Sequence, residues 1–510
     1  MIKVGFITNY FIFLFSKSKQ PPIRTLKKTV RWVIGIILGI YIGTIILLNI
    51  PYIQRNMTTF VTKELSRTLG TELTIGKIDI GLLNRIIIDD VLLDDQSGKE
   101  MLKITRLSAK FDIIPLFNGK ITISSVQLFG FNINLNKPAP HMEPNFKFVL
   151  DAFASKDTVK TKKDIDLRIN SILIRRGKLS YDVLSEEETP GKFNPQHIKL
   201  HNIIANISLK ALQNDSINAA IKRLSVDEQS GFELRKLSLK VIANNKGMKI
   251  ENFAIEMPGT EMKMDTIRME YDSLKALNHF ADNVRFSFRT LPSHVTLNDI
   301  SAFVPALSNF KEKLDLNIDV EGTLNQLNCR TLEINAGDKF RLKGDVSLQD
   351  LSRPQDAYVY GHLANLSANK EGIGFLVRNL SPHYNGVPPV LQHLGNTSFH
   401  GEISGYFTDL VMYGLFRTDI GSVQTDLKLS SDKAKALFSY SGGVKTTDFE
   451  LGQLLGNKQL GKITFNLDVR GNHYKSQYPS ITLKGLIASL EYSNYKYENI
   501  TLDGACLLYT

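Results

Sequence analysis

The chain has 510 residues, 43% of them hydrophobic, with a formal net charge of +11 and only two cysteines. Seven of the positive charges (Lys3, Lys17, Lys19, Arg24, Lys27, Lys28 and Arg31) precede residue 32 and leave about +4 for the rest, an ordinary solvated surface without the basic stripe that nucleic-acid binding needs. Cys329 and Cys506 are too far apart in sequence to suggest a disulfide framework or a metal knuckle, and length alone would allow three or four domains.

Residues 1–31 form a basic leader. Its apolar run at 4–15 is too short to span a bilayer as a helix, and no function is assigned to it. Residues 32–50 (WVIGIILGIYIGTIILLNI) carry no charge, and Thr44 and Asn49 are the polar exceptions. As a helix they would be roughly 28 Å long, enough to cross a hydrocarbon core of about 30 Å. Trp32, Ile36, Leu38, Ile42, Ile46 and Leu48 are the expected anchor residues. Gly35, Gly39 and Gly43 form a smooth stripe that would suit a partner helix, although Gly is common in membrane helices in any case.

The cations ahead of the span place the N-terminus in the cytoplasm and the residues beyond 50 on the far side. A cleaved signal would have an apolar region of about 7–15 residues and a small-x-small site. Asn49-Ile50-Pro51-Tyr52 offers no such site, so a single uncleaved anchor is expected.

Residues 51–70 read as an amphipathic helix with Ile53, Met57, Phe60, Val61, Leu65 and Leu69 on one face and Gly70 as its C-cap. Its apolar face is expected to plug the end of the domain that follows. From Leu73 the period changes to two. Alternation is strict at Phe131, Ile133 and Leu135, at Leu314, Leu316, Ile318 and Val320, and at Ile463, Phe465, Leu467 and Val469. Ile121 and Ile123 begin another such run. Strands recur between Gly, Asn, Asp and Ser turns, as in a long antiparallel meander. Short helices are expected at 145–153 and 298–310, a turn or two of helix at 371–380 and 449–455, and a polar loop at 155–164.

So few helices cannot cover roughly twenty-five strands, and the sheet must curl until its apolar faces meet. Either a filled sandwich or barrel series or a long trough satisfies this pattern. Catalytic constellations are not found. His197 and His201 read as surface residues about 13 Å apart on a strand, too far for one zinc. Gly372-Ile373-Gly374 reads as a helix-breaking pair, and Asp89-Asp90 and Asp94-Asp95 as solvated loop carboxylates. No catalytic, cofactor-binding or metal-ligating residue is assigned, no cofactor is expected, and the chain is not read as an enzyme.

The order of features resembles the N-terminal part of a TamB protein of the AsmA-like family, in its Bacteroidetes form. The resemblance rests on the basic leader and single span, then Ile50-Pro51-x-Ile53-Gln54, and a helix ending Leu69-Gly70-Thr71-Glu72-Leu73-Thr74-Ile75-Gly76-Lys77-Ile78-Asp79-Ile80. Residues 88–95 (IDDVLLDD), 145–153 (NFKFVLDAF) and 449–456 (FELGQLLG) continue it. It implies a mainly β fold, an elongated, curled antiparallel sheet over residues 71–510 enclosing a taco-like hydrophobic groove. In that reading the chain is anchored in the inner membrane with its bulk in the periplasm, and phospholipids move along the groove between inner and outer membranes. Ile121, Ile123, Phe131, Ile133, Leu135 and the alternating sets at 314–320 and 463–469 would line it. The resemblance also implies a C-terminal continuation that meets an outer-membrane barrel of the TamA type, and a chain truncated at its end. The alternative function is a scaffold that assists the insertion of outer-membrane barrels.

Overall fold

The computed structural model describes residues 23–81, 84–112, 122–153, 168–213, 216–353, 355–380, 386–387, 389–432, 437–474 and 480–507. The first helix, α1 (Ile23–Leu48), contains one segment, Lys28–Leu48, long and apolar enough to cross a membrane. Trp32, Ile36, Leu38, Ile42 and Ile46 are exposed along it, whereas Leu48 is half-buried. Pro51 opens α2 (Pro51–Leu69), where its missing N–H costs nothing, and Gly70 closes it at a left-handed φ of 68°.

Ile53, Met57, Val61, Leu65 and Leu69 of α2 face inward as expected, but Phe60 is 71% exposed and lies off that face. The inward face also carries Gln54, Thr58 and Ser66. The reason is that α2 lies along the free edge of the first strand. Thr58 Oγ1 accepts from the Ile78 N–H at 3.2 Å and Ser66 Oγ from the Leu73 N–H at 3.1 Å, while Asn49 Nδ2 donates to the Ile80 carbonyl at 2.7 Å. Side chains thereby occupy backbone groups that would otherwise template pairing with another chain.

Among the described residues the strands form one continuous sheet of 24. β1 (Leu73–Gly81), β2 (Arg85–Asp94), β3 (Glu100–Phe111) and β4 (Thr122–Lys137) are a meander. The chain then crosses by way of α3 (Lys147–Phe153), and β5 (Arg168–Ile169) and β6 (Ser171–Val183) pair parallel to β4. A parallel neighbour needs such a crossover, so the meander is interrupted once. The predicted loop at 155–164 lies outside the described residues.

From β6 onward every neighbour is antiparallel: β7 (His197–Gln213), β8 (Ser216–Glu228), β9 (Glu233–Ala243), β10 (Gly247–Glu256) and β11 (Glu261–Glu270). The 3-10 turn Leu274–His279 and α4 (Phe280–Asn283) lead to β12 (Arg285–Arg289) and β13 (Ser293–Val295), which share one position between β11 and β14 (Leu314–Thr323). Next come β15 (Gln326–Ala336), β16 (Phe340–Gln349) and β17 (Tyr358–Ala368). After α5 (Lys370–Leu380) and α6 (Pro389–Gln392) stand β18 (Thr397–Tyr406), β19 (Asp409–Thr418), β20 (Gly421–Asp432) and β21 (Leu437–Glu450). α7 (Leu451–Leu455) precedes β22 (Leu460–Tyr474), β23 (Ser480–Tyr492) and β24 (Tyr495–Leu507). At about 4.8 Å per strand the sheet measures about 100 Å along its hydrogen bonds.

One-residue irregularities hold the apolar face together. In β1 the apolar positions are Leu73 and Ile75, then Ile78 and Ile80, a change of parity. Their partners Leu93, Val91, Ile88 and Ile86 change parity across Asp90, whose φ is 55°. Gly130, Arg176, Asn202 and Asn252 take the same left-handed backbone in β4, β6, β7 and β10. Each absorbs one residue, so both halves of a strand present apolar side chains to the same side.

The helices gather at one long edge of the sheet. Leu65 and Leu69 of α2 with Phe148, Val149 and Ala152 of α3 pack on Leu73, Leu93 and Met101. Phe375 and Leu376 of α5, with Leu297 and Phe310 from the turns between β13 and β14, pack on Leu314 and Ala336. Leu391 of α6 and Leu451 and Leu454 of α7 pack on Phe449, Ile463 and Leu467. Among the described residues the opposite edge carries hairpin turns and a short helical connection at 274–283. The helix α5 runs through Gly372 and Gly374, which therefore do not break it. A Cβ at 372 would overlap the Lys339 carbonyl, so this glycine lets α5 dock, and Asn369 Oδ1 caps the Gly372 N–H at 2.9 Å.

Asp95 is buried, not solvated. Its Oδ1 accepts from the Ser97 N–H (2.8 Å), the Ser97 hydroxyl (2.6 Å) and the Lys99 N–H (3.0 Å), while Asn145 Nδ2 approaches Oδ2 at 3.4 Å. Burial alone would raise the carboxyl's pKa, but these donors outweigh it and hold it below the usual range. A lowered folded value stabilises the fold above the ordinary aspartate range, and that contribution is lost as pH falls through the lowered value. Asp95→Ala should therefore cost about 1–3 kcal/mol at neutral pH. In chemical denaturation the deficit should shrink on acidification; a deficit that stays constant into strong acid contradicts this account.

Candidate functional site: the inner face of the sheet

Alternation on β14 sends Leu314, Leu316, Ile318 and Val320 to the helix-covered face and Asp315, Asn317, Asp319 and Glu321 to the other. Strand register carries the apolar side onward without a break. Starting at Leu316, the in-register row passes through Ile334, Leu366, Phe399, Phe416 and Phe465 and ends at Ile500. It takes one residue from each of β14–β24, and Thr446 is its one polar member. That hydroxyl is spent on the Ser422 carbonyl at 2.6 Å. A row across eleven strands is about 48 Å of continuous apolar surface. In the first part of the sheet Val91, Ile104, Phe131, Gly177 and Ile203 form an equivalent row.

Ile123, Phe131, Ile133 and Leu135 all lie on this inner face; Ile121 is outside the described residues. Leu314, Ile463 and Leu467 are buried beneath the helical edge. Leu316, Ile318, Phe465 and Val469 are half-buried. Val320 is 6% exposed.

The interior is not packed solid. Val284 is the one large side chain less than 2% exposed among the described residues. A filled β sandwich of this length would bury many Leu, Ile and Phe completely. Beneath α5 the packing leaves an open apolar pocket of about 210 Å³ lined by Leu366, Ile373, Leu376, Leu391, Phe399 and Phe416.

Glycines let aromatic rings lie down on the sheet. Phe131 covers Gly177, Phe399 covers the Gly401–Gly414 pair, and Tyr440 covers Gly471; a Cβ at any of these glycines would overlap the ring. A standing ring would project into the interior. Sequence reading missed these pairs, whose signal is a glycine at an inward position opposite an aromatic.

The outer face is held by cross-strand ion pairs. Lys240 across the ladder and Lys249, two residues away on the same strand, sit 2.7 and 2.6 Å from Glu251 and hold its carboxyl down at about 2. Arg285 and Arg330 share Glu321, and Lys343 lies 2.7 Å from Glu333. Arg106 clamps Asp89 at 2.6 and 3.0 Å, and Arg176 stacks over Phe129 at 5.2 Å. Two faces of opposite character thus run the length of the sheet.

Among the described residues one trio of carboxylate and imidazole groups comes together, Asp182, Glu188 and His197. His197 is 5% exposed, not the surface residue expected, because the 184–196 loop covers it. One ring nitrogen lies 3.0 Å from Asp182 Oδ1 and the other 3.0 Å from the Glu186 carbonyl, and Glu188 is paired with Lys199 at 3.0 Å. These contacts pin the loop to β6 and β7. Compared with protein-family models, curated proteins and solved structures, the chain matches none.

Proposed function

We propose that the protein is a lipid conduit of the AsmA-like kind. Anchored by α1 in the inner membrane with its N-terminus in the cytoplasm, it carries phospholipids through the periplasm towards the outer membrane along the inner face of its sheet. The observation that carries this reading is the apolar inner face, in register across β2–β7 and again across β14–β24, with its interior left unfilled. Each CH₂ taken from water onto such a face gains about 0.8 kcal/mol, so acyl tails can travel along it while the headgroup stays hydrated. The helical edge supports one side of the groove, and the charged outer face keeps the sheet soluble. The seven cations ahead of residue 32 support the orientation.

Photo-crosslinkers at Leu316 and Phe465 should capture phospholipid in intact cells, and those at the adjacent outward positions Asp315 and Asn466 should not. Equal capture at all four sites would sink the conduit. Capture of barrel proteins in place of lipid at Leu316 and Phe465 would favour the assembly role.

A further inference from the structure

We infer that the end of the first hairpin of the sheet, at residues 80–81 of β1 and 84–86 at the start of β2, is sunk in the leaflet from which α1 emerges, so that the groove begins inside the acyl-chain region of the membrane. This deepens the conduit reading and rests on it for its purpose, but the placement stands on separate observations. Tyr41, Ile45, Leu48 and Asn49 are the half-buried positions near the end of α1, spaced as one helix face. The Tyr41 hydroxyl donates to Asn84 Oδ1 at 3.2 Å, and Asn49 Nδ2 donates to the Ile80 carbonyl at 2.7 Å. The hairpin therefore lies against about 12 Å of the helix, measured from Tyr41 to Asn49.

Length arithmetic excludes a hairpin that stays outside the bilayer. If the hydrocarbon ended at Tyr41, the apolar segment would run from Lys28 to Ile40, about 20 Å of helix against a core of about 30 Å. The whole of Lys28–Leu48 is needed to span, which places the contact with Asn84 below the membrane surface.

The hairpin suits that depth. Ile80, Ile86, Ala109 and Val126 form one in-register row on the inner face. Asn84 is engaged by Tyr41 through its side chain and by the Phe111 N–H through its carbonyl. Arg85 and Lys110 pair in register on the outer rim, where long cationic side chains reach back to lipid phosphates. The helices that wall the groove stand at the opposite edge, so acyl chains meet the apolar floor here without first crossing water.

The test is fluorescence of the full chain in phosphatidylcholine vesicles with brominated acyl chains. Trp32, the one tryptophan, is replaced by Phe, and a reporter is placed at Ile87, on the outer face of the hairpin. Ile87→Trp should lose more than half its emission to brominated chains and shift to the blue. Lys110→Trp, a second reporter on the same rim, should do the same if Ile87→Trp folds poorly. Tyr360→Trp, far along the outer face, should be unaffected. Unquenched reporters at both 87 and 110 in chains that melt normally overturn the inference, as does equal quenching at 360, which would mean the sheet lies flat on the membrane. Lipid held only in the groove would quench Ile86→Trp on the inner face and leave Ile87→Trp bright, so this failure is distinct from failure of the conduit, which crosslinking at Leu316 and Phe465 reads.

Discussion

Replacing Met412 and Leu427 together by glutamate should slow phospholipid transfer at least about tenfold and leave the fold intact, since a barrier raised by about 1.4 kcal/mol is enough for that factor. The two residues are register partners on β19 and β20, both half-buried on the inner face, and neither belongs to the three packed clusters at the helical edge. A groove that carries lipids in file is a serial path, so one poor segment limits the whole. Acyl chains crossing β19 and β20 would have to strip water from two carboxylates or lose contact with the floor. Stripping costs several kcal/mol per carboxylate. Without lipid, the carboxylates sit in an unfilled interior and stay hydrated, so the melting temperature should change little.

Tyr413→Lys is the matched control. Tyr413 is the next residue along β19, 52% exposed on the outer face, and the lysine would stand in register between Glu402 and Asp426, an arrangement that favours a cation. Transfer of a labelled phospholipid from vesicles holding the protein to acceptor vesicles should fall for the inner pair and hold for Tyr413→Lys. An unchanged rate for the inner pair removes the inner face from the transport path.

Much of this architecture could be read from residue order. Uniform alternation at 314–321 and 463–470 announced half-buried strands, and a run of apolar residues preceded by cations announced α1. What escaped was information carried by pairs of distant residues. Gln54, Thr58 and Ser66 spoil the apolar face of α2 in one dimension, yet in three they serve the edge of β1. Asp95 has its main donors, Ser97 and Lys99, close by in sequence, but its burial and its contact with Asn145, 50 residues away, do not show there. The parity change between Ile75 and Ile78 is visible in the sequence, but only Asp90 across the ladder explains it. The parallel β4–β6 pairing had no local signal, because an antiparallel and a parallel neighbour present the same alternation. Open and filled interiors likewise share one pattern of apolar residues, and burial separates them.

Gly471→Ala should reduce transfer several-fold with only a modest loss of stability, and Tyr440→Ala should restore it. Gly471 has an ordinary extended backbone, so alanine brings no conformational strain of its own. Its Cβ would fall on the edge of the Tyr440 ring, the far end of a side chain that can turn about two bonds. The ring gives way before the backbone does, at roughly 0.5–1.5 kcal/mol for a rotamer off its preferred well. Lifted from the sheet, it stands over the groove beside Leu429 and Ile481, its row neighbours on the same face. An aromatic side chain standing on the floor occupies the space an acyl chain would take. Removing the ring in Gly471→Ala/Tyr440→Ala clears that space, so the two substitutions should be strongly non-additive in transfer, and the small stability deficit that Gly471→Ala owes to the same contact should be relieved with it. If Tyr440→Ala relieves the stability deficit of Gly471→Ala but fails to restore transfer, the flat-lying rings serve packing alone and the width of the path is set elsewhere.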